Sequence, residues 1–534
     1  MPGLFTFFQA PLGARLLPRL FFSLVLLLGL LLHRDYGLSW DEPIDHLNGL
    51  VNAKYIARLF FPQLARQEAT YDEIPDFENF SEHDHGVLFA LPVAVLGRIF
   101  THGNTREFYF LQHLLNYLTC TLGMWALYRI GLIRFKDWRW ALLGSLLLLL
   151  SPRFFAESFY NSKDLIFMAF FTVAIYTLLR LLENPTISRA LVHGLATAAA
   201  IDVRIMGLMV VVFTLGMLGL AAFARPISQK GRLAQVGGAY LLAASLFTVL
   251  GWPYLWANPW GNLVMAFQTM SHFRWEGPVL YWGQLMMSTE LPWHYAPVWI
   301  FITTPLAYTM AFLGAVVALI TGFSLRRLLT CPHYRYDVLF LGWAVGPIVA
   351  VVGLHSVLYD GWRHLYFLYP ALLLLAVQGV RAGLAAVEQQ RGWRPLAVVV
   401  ASLGVAEMAL TLTRMVQDHP FQNVYFSCLP GPVAEKLFDR DYWALSNRQG
   451  VEWLLAHDPS PRITLETNSA NPIGFIYLIL PRAESSRLSL GGASSRYFLT
   501  NYREYSQPYP AIVGREVYTI RASGAKILSI FQRY

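Results

Sequence analysis

The sequence predicts an all-α polytopic membrane protein of about eleven transmembrane helices, followed by a small C-terminal α+β part outside the bilayer. Three observations lead there. Apolar residues make up 55% of the 534 positions and charged residues only 14%, well outside the range of a soluble chain. Apolar windows of roughly 20 residues, enough to cross about 30 Å of hydrocarbon, recur along the chain up to Arg414. Beyond that point hydropathy falls and the pattern becomes the period-two alternation of strands.

The windows begin near residues 14, 106, 138, 165, 188, 205, 234, 296, 336, 364 and 395. The one at 188 is short and turns polar at Asp202. Basic residues bias the short loops: Arg15 and Arg19 fall on the same side as Arg134, Lys136, Arg180, Arg225 and Arg326, which predicts a cytoplasmic N-terminus. An odd number of spans then places the tail on the outer, periplasmic face of the cell inner membrane. The net charge of +8 is accounted for by this bias, and no nucleic-acid partner is implied. The first segment lacks a small-residue cleavage pattern and is expected to be a retained anchor. Cys120, Cys331 and Cys428 fall in three different compartments, so neither a disulfide nor a thiolate metal site is expected. No internal repeat is visible, which disfavours many transporter architectures.

Outside the bilayer, the loop 34–105 carries an amphipathic helix candidate from Asn52 to Phe61 and an acidic stretch from Glu68 to Asp84. Gly86 to Phe100 follows, apolar but about 15 residues long, better suited to lying in the interface than to crossing. The loop 255–295, rich in Trp, Tyr and Met, reads as a membrane-surface helix lining a groove for a lipid chain, or as an aromatic belt. In the tail, Asn447 to Ala456 reads as a short helix, Arg462 to Thr467 as a strand, and Ser523 to Lys526 as the turn of a hairpin. The expected division is a transmembrane catalytic unit at 1–414 and an outer α+β unit at 415–534.

Chemistry gathers at three places. Tyr36 to His46, YGLSWDEPIDH, sets Asp41 and Glu42 where the first apolar segment ends, and a carboxylate at that interface can accept a proton from a hydroxyl. The competing reading is a helix N-cap by Ser39 or Asp41. SPRFFAESFYNSKD, in a tight outer turn, holds Glu157, Lys163 and Asp164, with Asn161 or Ser162 as capping alternatives. LYDGWRHLYFLYP carries Arg363 and His364, which can grip a lipid-linked phosphate, although an arginine at a boundary also snorkels. Arg58 and Arg204 are further candidates for substrate contact. His83 and His85, in SEHDHG, have a pattern that could hold a divalent metal ion, against the alternative of a solvated acidic turn. No Gly-rich phosphate loop, GxSxG elbow or HExxH is present, which disfavours ATP use and serine hydrolysis.

With these residues in view, the chain resembles the GT-C superfamily of integral membrane glycosyltransferases, near the protein O-mannosyltransferases of glycosyltransferase family 39 and the aminoarabinose transferase of lipid A. The resemblance rests on WDEP at Trp40 to Pro43, HDHGVLFAL, FYFLQHLLNYLTCTLGMWALYRIGL, the SPRFF and NSKD turn, and RHLYFLYP. In the tail it rests on HPFQNVYF and DYWALS. It implies a polyprenyl-phosphate sugar as donor and attack by an acceptor hydroxyl of a glycan, lipid or protein. It further implies inversion at the anomeric carbon, Asp41 as base, Asp164 as a second acid, and Arg363 with His364 on the lipid phosphate. At His83 to Gly86 the chain has HDHG where the family usually has HPP, so the resemblance carries no role onto His83 or His85. It lacks the WWDYG of oligosaccharyltransferases, so a single sugar is expected rather than a preassembled oligosaccharide. The competing functions are a lipid-linked sugar flippase and a non-catalytic envelope assembly factor.

Overall fold

Each of the eleven apolar windows coincides with helix, but not each with a whole span. The computed structural model describes residues 11–66, 71–271, 275–468 and 471–533. Glu68 of the acidic stretch and residues 272–274 of the second long loop lie outside them. Among the described residues seven helices are long and apolar enough to cross a membrane, or eight if a bent pair is taken as one span. The expected eleven is therefore not reached, and the shortfall has local causes. Ile187–Ile201 has 15 residues, about 22 Å at 1.5 Å per residue. The window at 296 is split into Tyr295–Thr303 and Leu306–Thr321 around Pro305, which has no N–H to continue the ladder. Trp138–Leu149 and Pro152–Tyr160 are bent by 70°, with Pro152 opening the second helix. Thr105–Phe135 is long, at 31 residues, but buries Gln112, His113 and Asn116.

That long helix packs against Asp164–Glu183 with almost no gap. A Cβ on Gly123 would lie 2.6 Å from the Ala169 Cα, so only glycine allows the approach. The contact fixes where Asp164 emerges. At the opposite end of the same helices Arg134 pairs with Asp337 at 2.5 Å and Lys136 with Glu183 at 3.6 Å.

The first long loop opens with helix Asp41–Phe60 and closes with Ala90–Thr101, the latter only 12 residues and too short to cross. The second loop departs from the expected surface helix. Pro259–Ser271 is helical, but two strands follow, β1 (Pro278–Tyr281) and β2 (Gln284–Met287), paired antiparallel. Trp282 and Gly283 join them with φ of 53° and 75°, the left-handed pair that a two-residue hairpin demands. This hairpin leans on the tail: Gly283 N–H donates to Leu437 O at 3.0 Å, and Leu280 N–H donates to the Asp439 carboxylate at 2.9 Å.

In the tail, β3 (Ile463–Thr467), β4 (Leu488–Leu490), β5 (Tyr497–Thr500), β6 (Arg515–Ala522) and β7 (Ala525–Gln532) form one mixed sheet in the order β4-β3-β5-β7-β6. β3 runs parallel to β4 and β5, while β7 is antiparallel to β5 and β6. Ser523 and Gly524, at φ 50° and 79°, turn β6 into β7 where the sequence predicts a hairpin. Helix Ser446–His457 lies against β6 and β7.

Candidate active site

Asp41 opens its helix, where an anion is favoured by the exposed N–H groups and the dipole. Pro43 sits in the same first turn, a position where its missing N–H costs nothing. Glu42, the neighbouring residue, points elsewhere. It is fully buried, accepts the Ser39 N–H at 2.8 Å in the manner of a capping box, and faces His113 Nε2 at 2.9 Å. Burial raises its carboxyl, with His113 and Ser39 opposing. The acid pair WDEP is thus divided, with Asp41 facing a polar cluster and Glu42 an internal tie. Glu42→Ala is expected to lose about 1 to 3 kcal/mol of stability, the cost of leaving buried polar groups unpaired. Thermal unfolding of the purified variant checks this.

Asp41 Oδ2 accepts a hydrogen bond from Arg363 Nη1 at 2.6 Å. The same nitrogen lies 3.5 Å from Asp164 Oδ2, and Arg363 Nη2 lies 3.5 Å from Asp360 Oδ2. One guanidinium, 3% exposed, therefore serves three carboxylates from three segments. Its plane also lies 4.7 Å from the Trp443 ring and 4.9 Å from that of Tyr359. Asp164 is itself bridged to Arg204 Nη2 at 2.5 Å. Asn161 accepts the Asp164 N–H at 2.8 Å, so the capping alternative and the cluster coexist. One turn on from Asp41, Asp45 pairs with Lys163 Nζ at 2.7 Å and accepts the Ser162 hydroxyl.

Burial alone would raise the Asp41 carboxyl, but Arg363 and then Lys163 outweigh it, against Asp164, and hold it below the usual carboxylate range. Asp41 is ionised and 21% exposed, so it can be reached. For Lys163, burial works to lower the ammonium, yet Asp45 and Asp41 prevail and raise it. Burial raises Asp360, opposed by Arg503 and Arg363.

The remaining sequence candidates fall into two groups. His364, half-buried, sets its ring edge-on to Tyr359 at 4.6 Å beside the cluster, with a buried Nδ1 that finds no hydrogen-bond partner among the described residues. Glu157 lies behind Asn161, which donates to it at 2.8 Å, and takes the hydroxyls of Tyr366 at 2.8 Å and Tyr442 at 3.2 Å. By contrast, Arg58 is committed to Glu78 at 2.7 Å. His83 bonds Phe80 O and packs its ring against Phe77 and Tyr254. His85 turns to Glu82 and Asp84 at 3.1 and 3.3 Å. No group of three His, Cys, Asp or Glu side chains suited to a metal ion occurs among the described residues, and the SEHDHG turn is tied to the segment after helix Ile227–Gly251, where Trp252 Nε1 donates to His85 O at 3.1 Å.

Four cluster residues were not singled out from the sequence. Asp45 follows Asp41 by four, the helical same-face spacing. Asp360 lies in a DG turn three residues before Arg363, with φ 54°. Both signals were legible. Trp443 lies in DYWALS, a motif that gives no hint of its contact with Arg363, and Arg503, 3.0 Å from Asp360, has no local pattern that marks it.

Against this geometry, comparison with known proteins is informative. Residues 84–252 match the family described as Dolichyl-phosphate-mannose-protein mannosyltransferase. A solved structure of ArnT from Cupriavidus metallidurans bound to undecaprenyl phosphate is similar over 98% of this chain and 98% of that one, with 14% identity and a TM-score of 0.50. The apo form of the same protein is similar over 96% and 97%, again at 14% identity and a TM-score of 0.50. Comparison with curated proteins gives no match. The family match is confined to residues 84–252, while the likeness to the solved structures runs over nearly the whole chain: this is a multi-pass membrane protein whose fold is similar to that of ArnT.

Proposed function

We propose that the protein transfers a single sugar from a polyprenyl-phosphate donor to an acceptor hydroxyl on the outer face of the cell inner membrane, with inversion and with Asp41 as base. The observation that carries this reading is the Asp41–Arg363 contact of 2.6 Å, which sets an ionised carboxylate beside a cation at the end of a membrane helix. The mannosyltransferase segment and the undecaprenyl phosphate bound by the ArnT neighbour support the choice of donor. In this account residues 1–414 form the transmembrane catalytic unit and 415–534 an extracytoplasmic unit, with the N-terminus cytoplasmic.

The step is a single displacement. The acceptor oxygen bonds to the anomeric carbon as the bond from that carbon to the phosphate oxygen breaks, and polyprenyl phosphate leaves with both electrons. The hydroxyl proton passes to Asp41. Arg363, aided by His364 and Arg204, meets the charge growing on the phosphate, where preorganised donors are most effective. Asp164 holds Arg204 and Arg363 in place. A carboxylate tied to a guanidinium is a weak base, and the donor phosphate relieves this. As Arg363 turns part of its fork to phosphate, Asp41 loses attraction for its own charge and gains basicity when a proton must be taken.

This predicts a pH signature. Because Asp41 acts ionised and Arg363 and Lys163 depress its carboxyl, the acid limb of kcat/KM should lie below about pH 3.9, the ordinary aspartate value. Asp164, Asp360, Tyr359 and His364 share its surroundings and stay in place. Arg363→Gln should move that limb upward by about 1 to 3 pH units, the usual effect of one close opposite charge. A limb that stays put would remove Asp41 as the titrating base. The direct functional test incubates the purified protein with radiolabelled polyprenyl-phosphate sugars and cell-envelope fractions, with and without chelator. Label moving into an acceptor supports transfer, and donor left intact with every fraction contradicts it.

A further inference from the structure

The best-connected side chain near the cluster that the mechanism leaves unused is in the tail. Arg503 is 2% exposed. Its Nη2 donates to Asp360 Oδ1 at 3.0 Å, and the other oxygen of Asp360 is the one 3.5 Å from Arg363. On its other side the guanidinium lies 4.1 Å over the Trp40 ring, and Trp40 directly precedes Asp41. Nη1 donates to Tyr442 O at 3.2 Å, next to the Trp443 that stacks on Arg363.

Arg503 is itself held firmly. Its N–H donates to Asn501 Oδ1 at 3.3 Å, Asn501 donates to Asp441 O at 3.2 Å, and the Glu504 N–H donates to Asp439 at 3.1 Å. The Glu504 carboxylate stands 3.8 Å from its Nε. A flat fork that satisfies a carboxylate while stacking on an indole is a task for arginine and not lysine.

We propose that Arg503 is a positioning residue of the transfer site, setting the Asp41–Arg363 pair from both sides: Arg363 through Asp360, and the start of the Asp41 helix through Trp40. The tail is then part of the active site as well as a module beside it. Its connection to donor use rests on the function proposed above, but its geometric content does not. Without Arg503, Asp360 has only Arg363 as an ion-pair partner among the described residues. Arg363 is drawn from Asp41 toward Asp360, Trp40 loses its lid, and Asp41 is left more open.

The test uses the full chain, purified in lipid nanodiscs, as wild type, Arg503→Met, Arg503→Lys and Arg503→Met/Asp360→Asn. Thermal unfolding confirms folding of each. The first readout needs no donor: the rate at which a carbodiimide and an amine label Asp41, followed by mass spectrometry. Labelling should rise about tenfold in Arg503→Met, as expected when Arg363, the close countercharge of Asp41, is drawn away toward Asp360, and fall back toward the wild-type rate in the double variant. An unchanged rate in folded Arg503→Met overturns the proposal. Should that variant not fold, Arg503→Lys decides. It keeps the charge but not the stack, so a rise of a few-fold supports the proposal and the wild-type rate overturns it. The second readout is donor use, where Arg503→Met should raise the KM for the polyprenyl-phosphate sugar and the double variant should recover it. If the wild type transfers no sugar, the functional reading fails while the labelling result still stands.

Discussion

Asp41→Asn is expected to cut sugar transfer by about 10² to 10⁴, the contribution of a positioned general base, with insertion and folding retained. The separation of the two effects follows from the cluster. Asparagine has the same shape and offers a carbonyl oxygen to Arg363, so the 2.6 Å contact keeps an acceptor. Arg363 still faces Asp164 and Asp360 at 3.5 Å, and no buried cation is stranded. What asparagine cannot do is take up the hydroxyl proton. Turnover of the purified variant against wild type, alongside an unfolding curve, measures the two consequences independently. Near-normal turnover would remove Asp41 from the role of base.

Arg363→Ala is expected to do more damage, and of two kinds. Asp41 loses the cation bonded to it, while Asp360 keeps Arg503 and Asp164 keeps Arg204. Removing one partner of a buried ion pair typically costs about 3 to 5 kcal/mol, because the charge left behind is uncompensated. The Tyr359 and Trp443 rings lose the cation between them as well. The second loss is functional, a weaker hold on the donor phosphate and a higher donor KM. Arg363→Lys separates them: it restores the charge and most of the stability, but not the fork that meets a phosphate through two nitrogens. Donor kinetics unchanged in either variant would contradict the assignment.

Much of this was legible in the sequence, and what was not has physical reasons. Asp41, Asp164, Arg204 and Arg363 come together although they lie up to 322 positions apart. Each sits at or near the end of an apolar run, and a membrane forces such ends onto one of two surfaces. That constraint substitutes for long-range information. It gave no help with Glu42, because adjacent residues on a helix face in different directions, and only packing against His113 decides which carboxylate turns inward. Nor did it reveal Arg503, or that the Trp443 of DYWALS meets Arg363, since nothing local records which tail loop docks over Asp360. The count of eleven spans is not confirmed for a similar reason. Hydropathy averages over a window and does not see Pro305 or the Ser151–Pro152 bend dividing it. SEHDHG showed the right residue types for a metal, but His83 and His85 are spent on Phe80, Glu82 and Asp84 within the turn.

The central claim is that the bond between sugar and phosphate breaks on the sugar side, with the lipid phosphate left behind against Arg363. A donor carrying ¹⁴C in the sugar and ³²P in the phosphate tests it most directly, incubated with the purified protein and an acceptor fraction. The account predicts ¹⁴C in the acceptor and ³²P retained in polyprenyl phosphate, in equal amounts and absent with Asp41→Asn. Both labels arriving together in the acceptor, or both remaining on intact donor while it crosses the bilayer, would contradict it.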